Sequence, residues 1–245
     1  MTARPRVGLF VTCLVDLVRP QIGFAAVKLL EQSGCEVIVP RAQTCCGQPA
    51  WNAGADKHTR EIAEQVVATF SEFDYVIAPS GSCAGMIKRH YPEVLKNDPR
   101  ALTLAAKTHE LMSFLVNIRG ITAVAAKCET RACYHDSCSS LREMKVRNQP
   151  RGLLNTVEGL TLSELIDGEV CCGFGGLFSV KYPEISERMA DDKIADAAAT
   201  GADTLIGGDL GCLLHLAGRM KRQGKTMRVR HAAEVLANMS DEPAL

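Results

Sequence analysis

Short apolar runs alternate along the chain with longer stretches whose apolar residues recur at helical spacing. Residues 7–11 read as a buried strand, and Pro20–Gln32 reads as an amphipathic helix with proline in its opening turn and Gly34 as its stop. A second short strand is expected at 37–39, a helix over 61–69 and a strand over Tyr75–Ala78. The second half follows a similar plan, with strands at 131–134, 162–165 and 204–206, a helical run at 193–199 and a closing helix at 231–238. Strands alternating with helices predict an α/β fold of parallel sheets flanked by helices.

The chain also repeats itself at about half its length. Cys13 is followed after 32 residues by Cys45-Cys46-Gly47 and after a further 37 by Cys83; Cys138 is followed after 33 by Cys171-Cys172-Gly173 and after a further 40 by Cys212. The run from Tyr75 to Cys83 aligns without a gap on the run from Thr204 to Cys212, each a short strand leading into a turn of small residues. Such duplication predicts two tandem Rossmann-like repeats related by internal pseudo-symmetry, 1–118 and 119–245. No Pro- or Ser-rich linker separates them, so the two lobes are expected to pack closely.

Composition narrows the chemistry. With 28 basic and 28 acidic residues, and no run of Lys and Arg interleaved with aromatics, nucleic acid is not an expected partner. The apolar run behind the arginines of residues 1–6 is too short for a leader, and the apolar stretch 114–126 is broken by Asn117 and Arg119, so no membrane span is expected and the location is read as cytoplasmic. Eleven cysteines are far more than such a chain needs for packing, and a reducing cytosol argues against disulfides. Metal or redox chemistry is the expectation.

In an open parallel sheet, ligands gather at the loops beyond the carboxyl ends of the strands. Cys13, Cys45, Cys46 and Cys83 all lie just past expected strand ends, as do Cys138, Cys171, Cys172 and Cys212, so each set can converge. Four thiolates select zinc, copper(I) or an iron-sulfur cluster. Ligands spread over about seventy residues, with an adjacent pair followed by glycine, favour iron-sulfur over the paired knuckles of structural zinc, which stays as the alternative at one or both sites. Cys35, Cys128 and Cys133 have no repeat partner and read as packing residues, with Cys133 the candidate exception because it lies near Cys138.

His135, three residues before Cys138, is a candidate ligand, proton carrier or hydrogen-bond donor to a cluster sulfur. Phe174-Gly175-Gly176 would let backbone amides approach the second centre and does not form a dinucleotide fingerprint. His90, His109 and His215 fall in helical surroundings, His58 is expected to be exposed, and His231 opens the last helix with a possible contact to the second site. No Ser-His-Asp or Cys-His nucleophile is legible.

A cysteine, about thirty residues, C-C-G and a further cysteine, present twice over nearly the whole chain, resembles the cysteine-rich CCG domain family. That family includes the cysteine-rich subunit of heterodisulfide reductase, the glycolate oxidase iron-sulfur subunit and the lactate-utilisation group. Tyr134-His135-Asp136-Ser137-Cys138, the run Cys171 to Gly176 and Pro79-Ser80-Gly81-Ser82-Cys83 are most similar to the lactate-utilisation members. The resemblance implies an electron-transfer subunit, with up to two [4Fe-4S] clusters, in a three-protein complex that oxidises L-lactate to pyruvate. Its partners would be a ferredoxin-domain iron-sulfur protein and a third subunit. Where the fuller family motif ends in C-x-x-C, this chain has Ser80 and Asp209 at the first of the two positions. That leaves either a cubane on four cysteines or a non-cubane centre in which Ser80 or Asp209 supplies oxygen. Two other readings stay open: a cluster that itself reduces a heterodisulfide or quinone, and a zinc-bound docking subunit.

Overall fold

The structure is a computed structural model that describes residues 4–96, 98–241 and 243–245. The first three residues of the stretch read against a leader therefore lie outside the described residues. Arg6–Leu9 (β1), Glu36–Ile38 (β2), Tyr75–Ala78 (β3) and Thr108–Glu110 (β4) form one sheet in the order β2-β1-β3-β4. Lys127–His135 (β5), Glu158–Ser163 (β6), Thr204–Gly207 (β7) and Arg228–His231 (β8) form a second in the order β6-β5-β7-β8. All six pairings are parallel. The α/β architecture is thus two four-stranded parallel sheets flanked by helices, in tandem and pseudo-symmetric.

The register makes the duplication residue-specific. Leu9 pairs with Ile77 in the first sheet as Tyr134 pairs with Ile206 in the second, so Phe10 and His135 are equivalent, as are Cys13 and Cys138. Ala78 pairs with Glu110 as Gly207 pairs with His231. Helices Pro20–Gln32, Asp56–Phe70, Pro183–Ala199 and Leu210–Arg222 pack through buried stripes, such as Ile22, Ala26, Leu29 and Leu30 of the first.

Two strands escaped the sequence reading. Thr108-His109-Glu110 and Arg228-Val229-Arg230-His231 contain one apolar residue between them, yet each closes one edge of its sheet, where a polar strand is tolerated. His109 accordingly sits in a strand rather than a helix.

One apolar core runs through both lobes and unites Val7, Leu9 and Ile22 with Ala132, Tyr134, Ile206 and Val235. Helix Pro20–Gln32 packs on helix Ala232–Leu236, and Arg19 Nε donates to the fully buried Glu234 carboxylate at 2.8 Å. Gly81 lies so near helix Cys138–Arg142 that a Cβ there would come 1.9 Å from Ser140 Oγ. Only glycine admits that approach.

Glu110 and His231, at matching ends of the two edge strands, each cap the helix that follows: Glu110 accepts from Ser113 N at 2.9 Å and His231 Nδ1 accepts from Ala233 N at 3.1 Å. Burial pushes the Glu110 carboxyl up to about 7, and the amides of Ser113 and Met112 offset only part of that. The folded chain then holds a proton that the unfolded chain releases, so this contribution to stability is complete below the ordinary carboxylate range and is lost as pH rises through about 7. His135 and His231, which burial holds down to about 4, act in the opposite sense. The difference between two chains isolates the carboxyl. Glu110→Gln keeps the cap, and its stability relative to the natural chain is expected to grow by roughly 3 kcal/mol from about pH 5 to about pH 8 in denaturant titrations. A flat difference would contradict a buried, protonated Glu110.

Candidate metal centre

Four of the eight repeated thiols ride the first turn of a helix that begins just past a strand. Cys13 opens helix Cys13–Val18 and Cys138 opens helix Cys138–Arg142; Cys83 and Cys212 are the third residues of helices Gly81–Gly85 and Leu210–Arg222. The local sequence supplies the caps: Val15 N donates to Thr12 Oγ1 at 3.4 Å, Ser140 N to Ser137 Oγ at 3.3 Å and Cys83 N to Ser80 Oγ at 3.4 Å. Peptide dipoles at such helix starts favour a thiolate.

The other four thiols are the adjacent pairs. Gly47 and Gly173 follow them at φ +83° and +87°, a left-handed turn that swings each glycine N–H back onto Cys45 Sγ or Cys171 Sγ, both at 3.4 Å. Each loop is held from outside as well. The Tyr91 hydroxyl donates to the Cys46 carbonyl at 2.9 Å, and the Ser186 hydroxyl donates to the Gly173 carbonyl at 2.8 Å.

These supports gather the sulfurs. Cys45 lies within hydrogen-bonding reach of Cys13 and Cys46, and Cys46 within reach of Cys83; Cys171 reaches Cys138 and Cys172, and Cys172 reaches Cys212. In each set one thiolate is favoured at its neighbours' expense. Donation from Cys13 and Cys46 lowers the Cys45 thiol to about 2, and donation from Cys138 and Cys172 does the same for Cys171. The thiols of Cys13, Cys46, Cys138 and Cys172 are pushed well up by those hydrogen bonds and by burial. Four crowded sulfurs cannot all ionise unless positive charge is added among them, which is the condition that a thiolate-bound metal centre meets. The donor set fits a soft metal or an iron-sulfur cluster.

A cavity of about 310 Å³ adjoins the first set, with Cys13, Cys45, Cys46 and Cys83 on one side and Phe174, Leu177 and Val180 of the second lobe on the other. At the second set, His135, Cys172 and Cys212 are all buried and offer ligand atoms within 4.8 Å of one another. Ser80 and Asp209, the candidate oxygen ligands, bond to each other: Asp209 Oδ2 accepts from Ser80 Oγ at 3.1 Å and from Ser82 N at 3.0 Å. His231 Nε2 meets the Pro79 carbonyl at 3.2 Å, so it contacts the loop after β3. The turns after β3 and β7 therefore form one joint between the two sulfur sets.

Of the three unpaired cysteines, Cys35 and Cys128 pack in the shared core, while Cys133 lies in the buried cluster that holds Cys172 and Cys212. Cys35 sits in the shared core with its sulfur 3.4 Å from Ser33 Oγ, Cys128 is half-buried on β5, and Cys133 faces Thr200, its thiol pushed up to about 11 by burial. His58 is exposed, and His90 and His215 are half-buried on helices. Sequence reading missed Lys193, which is 2% exposed, donates its ammonium to the Asp167 carbonyl and carries its charge beside Cys172. The signal was present: Ala190, Lys193, Ile194 and Ala197 make a helical stripe, and a lysine on an apolar stripe is a buried charge.

The Cysteine-rich domain family, CCG, matches residues 7–88 and 132–217. The chain belongs to this family. Each matched segment spans one strand-and-thiol set and repeats the plan of the other. The chain is 48% identical over 235 residues to Lactate utilization protein A of Halalkalibacterium halodurans, covering 94% of this chain and 96% of that protein. It is 50% identical over 235 residues to Lactate utilization protein A of Geobacillus kaustophilus, with 94% and 98% covered. Its counterpart of that name in Bacillus subtilis is 46% identical over the same length, with the same shares covered. Among solved structures, a hypothetical protein from Helicobacter pylori shares the fold at a TM-score of 0.69 and 14% identity, covering 98% of this chain and half of that one.

Gly173 gives a direct test of how the loop is built. A Cβ there would lie 2.7 Å from the Ser186 carbonyl oxygen, whereas Gly176, also left-handed at φ +59°, has open space. Gly176→Ala is expected to cost about 1 kcal/mol, the left-handed penalty alone, and Gly173→Ala on the order of 3 kcal/mol in denaturant unfolding of the metal-free chain. Equal costs would contradict the close packing of the C-C-G turn.

Proposed function

We propose that this chain holds two [4Fe-4S] clusters and carries electrons inside a cytoplasmic assembly that oxidises L-lactate to pyruvate. One cluster is held by Cys13, Cys45, Cys46 and Cys83 in lobe 1–118, the other by Cys138, Cys171, Cys172 and Cys212 in lobe 119–245. The observation that carries this reading is the repeated gathering of four thiols that cannot ionise together without a cationic centre. The cavity beside the first set supports a cluster over a lone zinc, because a structural zinc site closes directly on its four ligands. The names of the relatives support lactate utilisation as the setting.

When bound, the clusters supply one-electron transfer. Lactate oxidation releases two electrons, which suits two centres in one chain. The chain's own residues do the rest. Thiolates anchor each centre, the amides of Gly47 and Gly173 donate to sulfur, and Phe174 and Leu177 give the cavity beside the first set apolar walls. The Ser80–Asp209 joint fixes the spacing of the two sets. A ferredoxin-domain partner and a third subunit complete the assembly, and the exposed Leu17 and Val180 beside the first set suit such docking.

The test is the double substitution Cys171→Ser with Cys172→Ser in the assembled complex. Lactate-dependent dye reduction is expected to fall by about ten-fold or more as the second centre is lost. Unchanged dye reduction would overturn the electron-transfer role.

A further inference from the structure

The two sulfur sets are built on equivalent strands, yet they differ in the residue that each of these strands places beside the sulfurs. Where β1 delivers Phe10 to the first lobe, β5 delivers His135 to the second. Phe10 packs on Phe70 with ring centroids 5.6 Å apart, an ordinary core contact. His135 is only 2% exposed, and neither of its ring nitrogens has a hydrogen-bond partner among the described residues. A buried imidazole normally satisfies at least one nitrogen, because leaving such a group unpaired costs on the order of 1–3 kcal/mol. Its ligand atom lies within 4.8 Å of those of Cys172 and Cys212, the only such group of three metal-ligating side chains among the described residues.

We propose that His135 is a nitrogen ligand of the second centre, which makes the two centres of this chain unequal. The inference rests on the iron-sulfur reading above. Five donors, Cys138, Cys171, Cys172, Cys212 and His135, face the second centre, against four at the first; a four-iron cubane takes four, so His135 replaces one of the two thiolates grouped with it, Cys172 or Cys212. Exchange of thiolate for imidazole removes negative charge from a cluster and raises its reduction potential. The buried Lys193 ammonium, close to Cys172 and His135, acts in the same direction by stabilising the added electron. Electrons shared between the two centres therefore settle on the second.

The experiment uses the full chain, labelled with ¹⁵N-histidine and reconstituted anaerobically, with iron and acid-labile sulfide counted first. Pulsed electron paramagnetic resonance is expected to find the strong coupling of a directly bonded histidine nitrogen on one centre and none on the other. His135→Phe, which copies the first lobe, removes that coupling and leaves the other centre's spectrum unchanged. His135→Cys, which offers a thiolate to hold the centre where His135→Phe does not load, lowers the potential of that centre alone. Full iron and sulfide with no bonded nitrogen on either centre, or a potential unmoved by His135→Cys, would overturn the ligand role while leaving the cluster reading intact. Absence of sulfide from the unaltered chain would instead remove the cluster reading, and this inference with it.

Discussion

Crowding of like-charged sulfur is the constraint on which the rest of this molecule depends. Each set strings four thiols together beside a left-handed C-C-G turn, each within reach of the next, and lowers Cys45 or Cys171 while Cys13, Cys46, Cys138 and Cys172 are pushed up. Such an arrangement is costly for a metal-free protein and advantageous for one that binds a cationic centre. The scaffold therefore has to hold positions that the sulfurs would not choose, and it does so with backbone amides, helix starts and the hydroxyls of Tyr91 and Ser186.

Duplication makes that scaffold economical. A β2-β1-β3-β4 sheet sends three loops from one edge, and the same order recurs in the second lobe, so one solution to gathering thiols serves twice. Shared core packing, the Arg19–Glu234 pair and the Ser80–Asp209 joint then fix one sulfur set relative to the other. Departures from symmetry, Phe10 against His135 and Ser80 against Asp209, give the two sets different side chains beside their sulfurs.

The thiol sets were legible in the chain because their spacing repeats and each cysteine follows a short apolar run. The central strands were legible for the same reason, since Val76-Ile77-Ala78 and Leu205-Ile206-Gly207 are buried on both faces. The edge strands β4 and β8 were not, because Thr-His-Glu and Arg-Val-Arg-His carry no apolar run and form only when a neighbouring strand offers its backbone. Ser80 and Asp209 were recognised as departures from the family pattern, but their bond to each other spans 129 residues and no local spacing announces it. Lys193 was legible in principle, since the helical stripe that carries it is otherwise small and apolar, but a single lysine on a helix is an inconspicuous signal.

Metal content tests the central claim most directly. Purified anaerobically, the full chain is expected to hold about four irons for each filled centre, with acid-labile sulfide in equal number and no stoichiometric zinc, and to show low-temperature electron paramagnetic resonance signals that change on reduction. One or two zincs per chain without sulfide would contradict it, and would make the gathered thiols a structural support rather than an electron path.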